Sequence, residues 1–193
     1  MSYIWKKYLN IDAIANIIFK DACEFKNNHE YDKAIEYFNA VQEVAPKYQE
    51  KCTEKIYYCI KYKGDIETAY NYAMEHDVYL TRNETKEILQ DLKKYDDLIE
   101  LLQTAYTKEE KDEKPSLYAE LADAFIAIGK VDIALQVLSS GPISKRKMDN
   151  EMCIYRYALA NCFELLGKEK DAQKQYSKIY AYDASFKDVA LKV

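Results

Sequence analysis

Apolar residues along this chain recur at intervals of three and four, the period of one face of an α-helix. The clearest case is PSLYAELADAFIAIGK at 115–130, where Tyr118, Leu121, Ala122 and Phe125 share a face. YRYALANCFELLGK at 155–168 repeats the design with Leu159, Ala160 and Phe163. Gly129 and Gly167 lie just past these faces, where a glycine ends a helix in the left-handed conformation. The pattern predicts an all-α chain.

The pattern itself repeats. In EYDKAIEYFNAVQEVAP, residues 30–46, Tyr31, Ala34, Phe38 and Pro46 mark the second helix of a hairpin. Altered forms follow at GDIETAYNYA, KYDDLIELLQTA, GKVDIALQVLSSGP and GKEKDAQKQYSKI. Aligned on the small or Leu position, the anchors are Ala34, Ala69, Leu98, Ala134 and Ala172, spaced by 35, 29, 36 and 38 residues. A small residue there lets two helices approach closely, while Phe25 and Phe38 fill the groove on either side. One such hairpin cannot bury both its apolar faces, so each depends on its neighbours.

This pattern resembles the tetratricopeptide repeat (TPR) family, whose period is about 34 residues. The resemblance covers nearly the whole chain. It is carried by Ala22, Phe25, Tyr31, Ala34, Phe38 and Pro46 near the start. Tyr118, Leu121, Ala122, Phe125, Gly129 and Ala134 carry it further on, then Leu159, Ala160, Phe163, Gly167, Ala172 and Tyr176. It implies a right-handed superhelix of antiparallel helix hairpins, an α-solenoid, forming a single repeat domain over 1–193. Its units are expected at about 12–46, 48–77, 80–107, 115–142 and 150–184, with 185–193 starting a capping helix or a further repeat.

The departures are local. The second unit has Tyr57 where a small residue is expected and Ala73 where the late aromatic belongs. The third has a short first helix, roughly 82–93, opened by a capping box between Thr81 and Glu84. A change of superhelical pitch is expected around 75–95.

Composition agrees with long helices: the 193 residues include 4 Gly and 3 Pro, too few for the many turns of an all-β chain. Acids and bases are interspersed at a net charge of -5, which argues against a nucleic-acid footprint. The mixed run KEEKDEK at 108–114, just before Pro115, reads as a solvated loop. Lys6, Lys7 and Asp12 break up the apolar residues of the N-terminus, so neither a signal peptide nor membrane insertion is expected. The five cysteines (Cys23, Cys52, Cys59, Cys153 and Cys162) fall in predicted helices without CxxC spacing, which favours a reducing, cytoplasmic compartment.

No phosphate-binding glycine loop, HExxH or GxSxG is present, and no catalytic, cofactor or metal site is expected. Cys52 and Cys59 share a helical face but lack the further ligands of a metal site. His29, in a turn, is expected to serve a helix C-terminal carbonyl.

In a TPR array the first helix of each unit lines the concave face. The resemblance therefore places a partner-binding groove at Phe19, Lys51, Tyr58, Lys61, Tyr62, Tyr157 and Asn161. Neighbouring groove positions include Lys26, Asn83, Glu87, Ser116, Ala119 and Asp123. YYCIKYK at 57–63 makes an aromatic and basic patch, and tyrosine supplies rigid contact area with a polar tip. The two-carboxylate clamp of Lys, Asn and Arg by which some TPR proteins hold chaperone C-termini is not reproduced, since Phe19, Cys23, Ala119 and Asp123 occupy such positions.

Three functional readings stay open. One is a non-enzymatic adaptor holding a protein or peptide in the groove; the second is a regulatory or sensory module; the third is a TPR part of a larger subunit or enzyme. Val189, Leu191 and Val193 make the C-terminal end a candidate for self-association.

Overall fold

The computed structural model describes residues 10–145 and 147–193; Lys6 and Lys7 lie outside the described residues. These residues form twelve α-helices, most of them arranged as sequential pairs. The chain divides into two compact units, one ending at Ile88 and the other running from Leu89 to Val193.

In the first unit, α1 (Ile11–Asn27) packs on α2 (Tyr31–Val44), α2 on α3 (Gln49–Tyr62), and α3 on α4 (Ile66–Glu75). A 3-10 turn at Pro46–Tyr48 joins α2 to α3, and α5 (Arg82–Asp91) carries the boundary between the units. Side chains supply several helix starts: Asn10 accepts from Ala13 N–H at 3.0 Å, and Asp65 from Thr68 N–H at 3.0 Å. At α5 the expected capping box is present, with Thr81 and Glu84 exchanging bonds of 3.2 Å each way.

Ala22, Ala34, Phe38, Cys52, Ile56 and Cys59 form the core of this unit. Tyr57, fully buried, packs with Ala69 and Ala73 in a second cluster. The two departures of this repeat thus compensate: a large residue on α3 meets small ones on α4.

In the second unit, α6 (Tyr95–Thr104), α7 (Lys108–Glu113), α9 (Val131–Ser139) and α10 (Asn150–Leu165) all pack on α8 (Ser116–Ala127). The helices α11 (Glu169–Tyr182) and α12 (Val189–Lys192) complete it. With four helices around it, α8 is apolar on nearly every side, and Leu117, Tyr118, Leu121, Ala122 and Phe125 are buried. Ser116 and Ala119, expected in the groove, are 5% and 2% exposed and belong to this packing.

KEEKDEK is not a loop. Thr107 and Glu110 form a complete capping box, and acidic Glu109 and Glu110 in the first turn suit the helix dipole of α7.

Five helix–helix turns among the described residues are built alike. His29, Gly64, Lys93, Gly129 and Gly167 all have positive φ, between 54° and 90°. Each precedes its anchor (Ala34, Ala69, Leu98, Ala134, Ala172) by five residues. Four of these turns share a 6→1 bond: Glu30 N–H to Phe25, Lys94 to Leu89, Lys130 to Phe125 and Lys168 to Phe163, at 2.8–2.9 Å. His29 therefore serves a carbonyl through its backbone, bonding Lys26 O at 3.1 Å; its ring meets the Tyr31 hydroxyl at 2.7 Å instead.

Candidate partner-binding site

α3 places residues 50, 54, 58 and 62 one turn apart on a ridge: Glu50, Glu54, Tyr58 and Tyr62. Tyr58 and Tyr62 stack, with ring centroids 5.9 Å apart and 25° between planes. Tyr62 is 58% exposed, with Tyr31 at 6.1 Å and the Lys26 ammonium 6.0 Å from its ring. Lys61 is held by Glu84 at 3.6 Å and lies 5.8 Å from the Tyr57 ring. Desolvation would lower the Lys61 pKa, but Tyr57 and Glu84 outweigh it and raise the value. Glu84 is lowered, first by the Thr81 N–H bond.

Beside this ridge lies an open cleft of about 740 Å³. Glu50, Glu54, Tyr58, Asp77, Tyr79 and Glu84 are among its lining residues. Burial raises the Tyr58 pKa, and the charges of Glu84 and Glu54 add to it while Lys61 opposes them.

The other expected groove residues are placed differently. Phe19 is half-buried, edge-on to Phe38 at 5.6 Å and tilted on Tyr48 at 5.2 Å, so its ring packs against α2 and the turn that follows it. Lys51 is exposed on α3 but does not line the cleft. Tyr157 and Asn161 lie in the second unit, one turn apart on α10. Tyr157 is already engaged by the chain's own C-terminal segment: its hydroxyl donates to Asp188 at 2.6 Å, and Lys187 stands 4.1 Å from its ring. Asn161, one turn further along α10, is half-buried.

Glu50, Glu54, Asp77 and Tyr79 were not singled out by the sequence reading. The i, i+4 spacing of Glu50, Glu54 and Tyr58 was the available signal; Asp77 and Tyr79 join them only through the α4–α5 loop.

Cys52, Cys59, Cys153 and Cys162 are buried and Cys23 half-buried, all as free thiols. Burial pushes Cys52, Cys59 and Cys162 each up to about 11. Among the described residues no cluster of three His, Cys, Asp or Glu is arranged to hold a metal ion. None of the described helices is long and apolar enough to cross a membrane.

No protein-family model and no curated protein matches the sequence. Solved structures do. YrrB, described as a TPR protein with an unusual peptide-binding site, aligns with a TM-score of 0.56 at 12% identity, over 90% of this chain and 88% of its own. A structure of nearly identical TPR-like repeats from Podosopora anserina aligns with a TM-score of 0.52 at 16% identity, over 88% and 94%. The fold is that of TPR proteins. The C-terminal part of a TPR repeat-containing protein from Cytophaga hutchinsonii agrees, with a TM-score of 0.52 and 17% identity over 86% of this chain and 64% of that one.

Proposed function

We propose that this chain is a non-catalytic protein-interaction module of the TPR type, which holds a segment of a partner protein along α3. The helix pairs α1–α2, α3–α4, α5–α6, α8–α9 and α10–α11 are read as its five repeats, at about 12–46, 48–77, 80–107, 115–142 and 150–184. The observation that carries the reading is the Tyr58–Tyr62 stack, half-exposed beside an open cleft. Two aromatic rings held against each other lose little side-chain entropy when a ligand covers them, the property that makes tyrosine frequent at binding hot spots. YrrB, with its peptide-binding site, and the APC/C hetero-tetramer Cut9–Hcn1, which aligns with a TM-score of 0.51, lend the fold-level support.

The test is affinity capture with quantitative mass spectrometry, comparing the wild type with Tyr58→Ala/Tyr62→Ala after circular dichroism shows equal helicity. The proteins enriched by the wild type should be lost from the double variant. Equal recovery by both removes the α3 site.

A further inference from the structure

The cleft beside Tyr58 has an uncompensated charge. Of its lining groups, Lys47 is committed to Asp12 at 2.8 Å, and Glu84 is neutralised by Lys61. The side chains of Glu50, Glu54 and Asp77 make no ion pair or hydrogen bond with any described residue. Glu50 and Glu54 stand four apart on one ridge of α3, where like charges oppose helix formation. Tyr58 follows on the same ridge, and Tyr79, from the α4–α5 loop, is 86% exposed.

We propose that this cleft binds a basic segment of the partner protein, with a lysine or arginine side chain against the rings of Tyr58 and Tyr79 and its charge met by Glu50, Glu54 and Asp77. The proposal rests on the reading of the chain as a protein-interaction module and names the chemistry of the segment it takes. An aromatic face attracts a cation within about 6 Å, and carboxylates around it replace the water the cation gives up. The volume, within the roughly 300–1,000 Å³ of typical ligand sites, admits more than one side chain. The carboxylates are too dispersed for a metal ion, whose ligands must converge on one point, but suit the spread donors of a guanidinium. An acidic segment meets three unpaired like charges at the same place, so the cleft selects by sign.

The experiment measures fluorescence anisotropy of the full chain with labelled peptides that carry lysines, arginines, glutamates or only serines in one common frame. Three variants are compared: Glu50→Gln/Glu54→Gln, Tyr58→Ala/Tyr62→Ala, and Glu36→Gln/Glu43→Gln on α2, which removes the same charge elsewhere. Basic peptides should bind the wild type roughly tenfold or more tighter than acidic or serine ones, the scale of charge pairs at an interface. Glu50→Gln/Glu54→Gln should lose that margin and Glu36→Gln/Glu43→Gln should keep it. Equal loss in both charge variants reveals only bulk attraction and overturns the proposal, as does the absence of any basic preference. If serine or acidic peptides bind and only Tyr58→Ala/Tyr62→Ala loses them, the basic segment is ruled out while the interaction module stands.

Discussion

The hydroxyl of Tyr157 on α10 donates a 2.6 Å hydrogen bond to Asp188, at the threshold of the last helix. Around it, Lys187 lies over the Tyr157 ring, Lys192 and Tyr176 both bond Glu164, and Val189 is fully buried. The C-terminal helix is therefore held on one side by Val189, while Leu191 is 87% exposed on the other. A tie between a phenol and a carboxylate must depend on pH at both extremes.

Desolvation, with the Asp188 bond and charge, pushes Tyr157 up to about 12. A raised pKa means that the stabilisation is whole below the ordinary value of about 10 and disappears as pH climbs through the raised one. Asp188 is lowered, first by the Tyr157 hydrogen bond. Its contribution is whole above about 3.9 and disappears as pH falls through the lowered value. Methyl NMR shifts of Val189 should therefore move toward random-coil positions at both ends of a titration. Tyr157→Phe should shift them at neutral pH already and shrink both the alkaline and the acid step. Superimposable titrations of wild type and variant refute the tie.

Lys93 occupies the left-handed position that glycine takes in three of the five helix-pair turns, with φ 54° and an exposed side chain. A residue with a Cβ in that conformation costs about 1–2 kcal/mol, and glycine returns part of that through its greater freedom in the unfolded chain. Lys93→Gly should raise stability by about 1 kcal/mol, and Gly129→Ala should lower it by a similar amount. Urea midpoints of the two variants check this; a lower midpoint for Lys93→Gly refutes it.

That position also explains how much of the fold the sequence displayed. The anchors Ala34, Ala69, Leu98, Ala134 and Ala172 were legible because a close helix contact admits few residue types, and each residue five before them shares one backbone conformation. Where two positions compensate, single-position patterns fail: Tyr57 looks wrong until it meets Ala69 and Ala73. KEEKDEK concealed α7 because its stability comes from the Thr107–Glu110 box and not from an apolar face. The candidate site was half legible. Tyr58 and Tyr62 share a ridge that spacing reveals, whereas Tyr79 and Asp77 reach the cleft through a loop whose path no periodicity encodes. Phe19 looked like a groove residue for the converse reason, since its position on α1 could not show that Phe38 and Tyr48 enclose its ring.

Gly141, between α9 and α10, has no positive φ to explain it. A Cβ there would lie 3.0 Å from Cε2 of Tyr155 and 3.2 Å from the Tyr118 ring. Tyr155 is fully buried and its hydroxyl bonds the Leu138 carbonyl, so it cannot retreat without breaking that bond. Gly141→Ala should cost about 1–3 kcal/mol, the scale of an overpacked core. Thermal unfolding measures it. A neutral result would show that the two rings move together at no cost.

Arg156 is 4% exposed, and no carboxylate among the described residues pairs with it. Its guanidinium bonds Gln175 Oε1 at 2.8 Å, Lys145 O at 3.0 Å and Ile143 O at 3.2 Å, while the buried Nε has no partner. Desolvation lowers its pKa, against Tyr155 and Cys153, yet arginine stays charged at any ordinary pH. The fan of donors ties α10 to α11 and to the loop ahead of α10, three acceptors that a single ammonium cannot reach in the same geometry. Arg156→Met should cost about 1–3 kcal/mol by leaving those acceptors unpaired. Arg156→Lys should be worse at neutral pH, because a buried ammonium without an anion is penalised as well. Lysine, unlike arginine, escapes by losing its proton, so its folded pKa lies below its unfolded value of about 10.4. Between the two values the unfolded chain binds the extra proton, and stability rises with pH. Chemical denaturation at several pH values should show Arg156→Lys gaining on Arg156→Met as the solution becomes alkaline. Parallel pH profiles would mean that water or an anion already shields the charge at this position.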